Sequence, residues 1–172
     1  KDYLMEDCFY AGGLRGLMVE LGDKLDLNVK TVTGKTLGEC IKGSKNFNTD
    51  IIRTLDNPVY HEGSLAVLKG NLAPDGAVIK PAAMDPKFQK HRGPAIVADS
   101  YVELKEIIND EDYPITADHV LVLRNAGPKG GPGMPEWGMI PMPKALLKQG
   151  HRDMIRLSDA RMSGTSYGAC IL

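Results

Sequence analysis

Near the start of the chain, apolar residues recur at helical spacing. Leu14, Leu17, Met18, Leu21 and Leu25 stand three or four apart, which predicts an amphipathic helix over residues 13–26. Gly12 and Gly13 stop any helix that precedes it. Thr36 and Glu39 have the spacing of a capping box and predict a short helix over about 36–42. Polar residues then cluster from 43 to 50, a loop or boundary pattern.

Beyond about residue 58 the pattern changes to short apolar runs bounded by Gly, Pro, Asn or Asp. Residues 65–68, 77–79, 95–97 and 120–123 read as strands, and so do residues 154–157. Ser100 and Glu103 form a second capping box ahead of Leu104, Ile107 and Ile108. Pro143 suits the first turn of a helix through Ala145, Leu146 and Leu147 that ends at Gly150. The pattern predicts a helical piece over 1–55 and a β-rich domain with peripheral helices over 56–172. Short strands and frequent turns favour a barrel or a compact mixed sheet over a doubly wound parallel one.

Composition narrows the class. With 172 residues, 42% of them hydrophobic and 25% charged, the chain can bury a true core. Lys and Arg number 21 and Asp and Glu 22, a formal net charge of -1, so bulk attraction to nucleic acid or to an anionic membrane is not expected. No apolar run reaches the length of a membrane span. Cys8, Cys40 and Cys170 are too scattered for a disulfide framework, which fits a reducing, cytoplasmic setting. The start at Lys1 without Met and the apolar residues 169–172 are expected of a piece of a longer protein.

Several motifs resemble chemistry without completing it. Gly34, Lys35 and Thr36 look like the end of a P-loop, but Val29 stands where its first glycine belongs. Gly164, Ser166 and Gly168 match the G-x-S-x-G nucleophile elbow, yet no acid or His follows them. His61, His91, His119 and His151 are about thirty residues apart, and none forms an i, i+4 metal pair.

Two loops carry more. Residues 125–137 hold four Gly and three Pro, which no helix or central strand tolerates. Such a loop is either a structural turn or a place where backbone approaches a ligand. Its one carboxylate, Glu136, reads as a solvated or capping group, or as a ligand for a hard cation such as Mg²⁺. Residues 158–166 combine Ser158, Asp159, Arg161, Ser163, Thr165 and Ser166. They read as a polar loop that satisfies its own backbone, or as a site for a small anionic substrate with Arg161 nearby. A serine acting as base there needs a cation or several donors to stabilise its alkoxide.

These loops closely resemble the dihydroxy-acid dehydratase and phosphogluconate dehydratase family. The matching stretches are 70–80 (Gly70 through Lys80), 125–136 and 158–168, with lead-in segments at 10–13 and 31–34. The resemblance extends over almost the whole chain, which looks like the C-terminal part of a member. The Met-Pro-Glu-Trp-Gly run and the segment from Ala160 to Gly168 look most like the sugar-acid (pentonate) dehydratases, of the arabinonate or xylonate type. Branched-chain biosynthetic members usually carry Arg-Glu-Met and Gly-Arg-Phe-Ser-Gly at those points.

The resemblance implies a hydro-lyase that converts a sugar acid to its 2-keto-3-deoxy acid. It implies a C-terminal β-barrel catalytic domain over 56–172, and that residues 1–55 end an N-terminal iron–sulfur α/β domain. An iron–sulfur cluster serves as Lewis acid on the departing 3-hydroxyl, and Mg²⁺ stabilises charge as the C2 proton leaves. By motif match Ser163 is the base, Thr165 a substrate contact and Glu136 a Mg²⁺ ligand; Arg161, from the chemistry of its loop, is expected to bind the substrate beside Thr165. The family's cluster cysteines and modified lysine fall in the N-terminal domain, so this chain alone is expected to be inactive. Homo-oligomers are implied as well. The alternatives are a dihydroxy-acid dehydratase of branched-chain biosynthesis and a truncated, non-catalytic binding or assembly module.

Overall fold

The computed structural model describes residues 2–133 and 135–172; Lys1 and Met134, the first residue of the Met-Pro-Glu-Trp-Gly run, lie outside them. The chain divides into two compact units, Lys1–His61 and Glu62–Leu172.

The first unit is helical. It contains α1 (Met5–Tyr10), α2 (Gly13–Leu21) and α3 (Leu37–Ile41). Helix α1 was not expected from spacing. Its start is fixed by the Asp7 carboxylate, which accepts the Leu4 N–H at 2.7 Å. Helix α2 ends earlier than its leucine pattern predicts, because Gly22 at φ 48° leaves the helical region and a single 3₁₀ turn follows. The capping box of α3 forms as predicted, with Thr36 accepting from Glu39 N–H and Glu39 accepting from Thr36 N–H. The buried apolar residues are few, namely Ala11, Ile41 and Ile52, and Leu14 and Leu17 of the apolar stripe are exposed.

The second unit is a six-stranded mixed sheet with two helices. In chain order it comprises β1 (Ala66–Leu68), β2 (Ala77–Ile79), β3 (Ala95–Ala98), α4 (Tyr101–Asn109), β4 (Val120–Leu123), α5 (Lys144–Lys148), β5 (Arg156–Ser158) and β6 (Cys170–Ile171). The order across the sheet is β1-β2-β6-β5-β4-β3. Strands β3 to β6 run parallel, and β2 turns the sheet antiparallel on both of its sides. The sheet is open. Barrel closure needs β1 and β3 to pair, and they are its two edges, so the expected barrel is not formed among the described residues.

Parallel neighbours cannot be joined by a tight turn. Helix α4 therefore crosses from β3 to β4, and a long segment containing α5 crosses from β4 to β5. Ser100 caps α4 by accepting from Glu103 N–H, but Glu103 reaches past the cap to Asp99 N–H at 2.7 Å, so the second capping box is displaced by one residue. The core packs one face of β4 under both helices. Leu104, Leu121, Leu123, Ile140, Leu146 and Met154 are almost completely buried there. Each stabilises the unit by about 1.5–3 kcal/mol. Strand β5 begins at Arg156 rather than Met154, because Met154 is taken into this core.

Candidate active site

Both composition-marked loops leave the C-terminal ends of adjacent parallel strands, β4 and β5, where open α/β sheets offer a crevice. A cleft of about 520 Å³ opens there. Its largely apolar lining meets the loops only at their first residues, Asn125, Ser158 and Asp159.

The first loop folds back on itself. Asn125 adopts φ 59°, and its side-chain amide donates to the Asp99 carbonyl at 3.1 Å. The Gly130 and Gly131 N–H groups both donate to the Gly127 carbonyl. Trp137 ends the loop by packing on the core and stacking on Tyr101, with ring centroids 4.6 Å apart and planes 12° apart. Glu136 stands exposed between Pro135 and this anchored ring.

The second loop lies against the first. The Asp159 carboxylate accepts the Ala126 N–H at 3.0 Å, and the Gly138 N–H donates to the Arg161 carbonyl at 2.7 Å. The latter bond sets the residue two after Glu136 against the residue two before Ser163. Gly127 lets the loops approach: a Cβ there would stand 2.6 Å from the Asp159 carbonyl oxygen.

Of the expected site residues, Ser163 and Thr165 come together. Their hydroxyl oxygens are 2.7 Å apart, and Thr165 N–H donates to Ser163 Oγ at 3.0 Å. Ser163 is half-buried and Thr165 exposed, so the pair faces solvent in part. Arg161 and Glu136 are exposed, each on its own loop.

The supports of this loop were not singled out from the sequence. The half-buried Lys80 ammonium, just after β2, donates to the carbonyls of Ser163 at 3.4 Å, Gly164 at 3.0 Å and Ser166. Arg156 is fully buried, and its guanidinium donates to the carbonyls of Ile140 at 2.7 Å and Tyr167 at 3.1 Å. It also pairs with Asp153 at 2.9 Å. Asp153 accepts in addition from the N–H groups of Ala169, Met154 and Asp85. Among the described residues no buried side-chain nitrogen or oxygen of this pair is left without a partner, the condition under which such a pair is tolerated. The one signal in the sequence was Lys80 itself, closing the family-like stretch that starts at Gly70.

Cofactor fit is limited. Among the described residues no three His, Cys, Asp or Glu gather into a metal site. Cys170 is buried, which pushes its thiol up from the ordinary value, and its Sγ–H meets the Tyr167 carbonyl at 3.4 Å. That is a packing role. His91 and His119 are hydrogen-bonded locally, to the Asp118 carbonyl and to Thr116. No helix among the described residues is long and apolar enough to cross a membrane.

The dihydroxy-acid/6-phosphogluconate dehydratase C-terminal family model matches residues 50–172. A 6-deoxy-6-sulfo-D-gluconate dehydratase of Pseudomonas putida is 50% identical over 98% of the chain and 30% of its own length. An L-arabonate dehydratase of Azospirillum brasilense is 46% identical over 98% of the chain and 29% of its length. A dihydroxy-acid dehydratase of Caldicellulosiruptor bescii is 47% identical over 96% of the chain and 30% of its length. The chain thus spans about a third of the length of the curated relatives it matches. With the two loops, their spacing and the family match in agreement, the chain belongs to the dihydroxy-acid/6-phosphogluconate dehydratase family, of which it represents the C-terminal region.

Proposed function

We propose that the whole protein is a hydro-lyase that dehydrates an aldonate, of the pentonate kind, to its 2-keto-3-deoxy acid. The hydroxyl pair of Ser163 and Thr165 carries this reading. Relatives named for aldonates at 46–50% identity support it. In the reaction Ser163, as its alkoxide, takes the C2 proton of the substrate. The C2–H electron pair becomes the C2–C3 double bond, and the 3-hydroxyl leaves with the C3–O pair. The enol formed then takes at C3 the proton held by Ser163, gives up its own O–H proton to the departing hydroxide, which leaves as water, and becomes the keto acid. Thr165 donates a hydrogen bond that orients the substrate, and Arg161 faces its carboxylate.

The described residues do not complete a ligand set for an iron–sulfur cluster or for Mg²⁺, and no step is assigned to either. Glu136 offers a single carboxylate to a cation whose other ligands come from elsewhere in the protein. A barrel closed by further strands and a homo-oligomer belong to the same reading.

The test is dehydration of L-arabinonate and D-xylonate by the full-length protein, scored as 2-keto-3-deoxy acid. Relatives named dihydroxy-acid dehydratase reach 47% identity, so 2,3-dihydroxyisovalerate is the competing substrate. Turnover of that compound with none of the aldonates overturns the assignment.

A further inference from the structure

We infer that Lys80 is a positioning residue that clamps the Ser163 loop from beneath; this rests on the reading of Ser163 as the base. The β5–β6 crossover has no helix to stiffen it, and it must carry a reactive hydroxyl at a fixed place. Its carbonyls at Ser163, Gly164 and Ser166 converge on one ammonium. Three carbonyl oxygens match the three N–H donors of a lysine, and no other side chain has that donor set on a point charge. A loop whose carbonyls face one way repels itself, and a single cation removes the repulsion.

The clamp has a second end. The segment that leaves Lys80 makes a 3₁₀ turn at Pro81–Ala83, and the Ala83 carbonyl accepts the Gly168 N–H at 2.7 Å. Two residues on, Asp85 N–H donates to Asp153, which also holds Ala169 N–H. Residues 80–85 therefore grip the hydroxyl loop at its middle, residues 163–166, and at its C-terminal end, residues 168–169. Lys80 grips the part that bears Ser163 and Thr165, and it does so through a flexible side chain.

Removing the ammonium frees three carbonyls and lets the loop wander. A base displaced by even 1 Å slows proton abstraction at saturating substrate by about a hundredfold. In the full-length enzyme, Lys80→Met should lower kcat at least tenfold and change KM less than threefold. Lys80→Arg, which restores several N–H donors, should recover most of that loss. Amide exchange at Thr165 and Ser166 should quicken at least tenfold in Lys80→Met, a readout independent of activity. If Lys80→Met does not fold, Lys80→Gln is compared with Lys80→Arg in its place. Wild-type kcat and unchanged exchange overturn the inference, and so does a loss of kcat that Lys80→Arg leaves as deep. Ser163→Ala, measured alongside, separates the two ideas. An active Ser163→Ala enzyme defeats the base reading, whereas an inactive one with a normal Lys80→Met defeats only the clamp.

Discussion

The two loops that leave β4 and β5 are held in opposite ways. Residues 125–138 are held by backbone: glycines admit close approach, prolines restrict the chain, and Trp137 nails the end to the core. Residues 158–169 are held by charge, through Lys80, Arg156 and Asp153 acting on carbonyls and N–H groups. The difference follows from what each presents. On the proposed reading, a loop that offers one carboxylate to a hard cation works best as a stiff, nearly side-chain-free bracket. A loop that offers hydroxyls cannot be all Gly and Pro, so its order must come from outside.

The sharpest way to break this comparison is at the hydroxyl. Ser163→Ala in the full-length enzyme should lower turnover by about 10²–10⁴-fold, the usual worth of an acid–base group. Thermal unfolding should stay within a degree or two, because Ser163 is half-buried and its hydroxyl bonds to the exposed Thr165. Turnover above about a hundredth of wild type would count against a base role.

Next comes the charge support. Arg156→Met leaves Asp153 buried without its partner, and unfolding measured in urea should show a loss of about 3–5 kcal/mol. A loss below about 1 kcal/mol would mean that the backbone, not the pair, orders the second loop as it orders the first.

Glycine substitutions probe both loops with one chemistry. At Gly168 the backbone sits at φ 82°, and a Cβ would fall inside the radii of Arg156 Nη2 and Asp153 Oδ1. Strain and collision add there, so Gly168→Ala should cost about 3 kcal/mol. Gly127→Ala meets Asp159, at its carbonyl oxygen and at its carboxylate Oδ2, without a left-handed backbone, and should cost about 1–2 kcal/mol. Equal losses in chemical denaturation would erase the distinction between the loops.

Legibility in the sequence follows the same division. Residues 125–138 stand out because their constraint is their composition. The hydroxyls of the second loop were legible too, and so were α3 and its cap, because Thr36 and Glu39 are three residues apart. The clamp was not. Lys80 lies 83 residues from Ser163, and Asp153 with Arg156 looks like an ordinary surface pair until the chain folds. Parallel pairing of β3 to β6 was hidden for a similar reason, since strands of two to four residues carry no mark of their neighbours. The leucines of α2 mark a helix correctly, yet periodicity does not say whether that face is covered, and Leu14 is exposed.

The smallest effect on stability should come at Glu136, and it bears most directly on why the first loop is stiff. Glu136 is exposed, so Glu136→Gln should move unfolding free energy by no more than about 0.5 kcal/mol. Among the described residues, the bracket around it, from the Gly127 turn to the Trp137 stack, shows no hydrogen bond to its carboxylate that the amide would lose. A hard dication distinguishes the two side chains sharply, because the carboxylate brings a formal charge and the amide does not. Calorimetry with Mg²⁺ on the full-length protein should therefore show weaker binding in Glu136→Gln, with the melting temperature of the metal-free protein unchanged. If the two proteins bind Mg²⁺ equally, Glu136 is a solvated loop residue, and the stiffness of residues 125–138 serves the neighbouring hydroxyl loop through the Gly138 to Arg161 hydrogen bond.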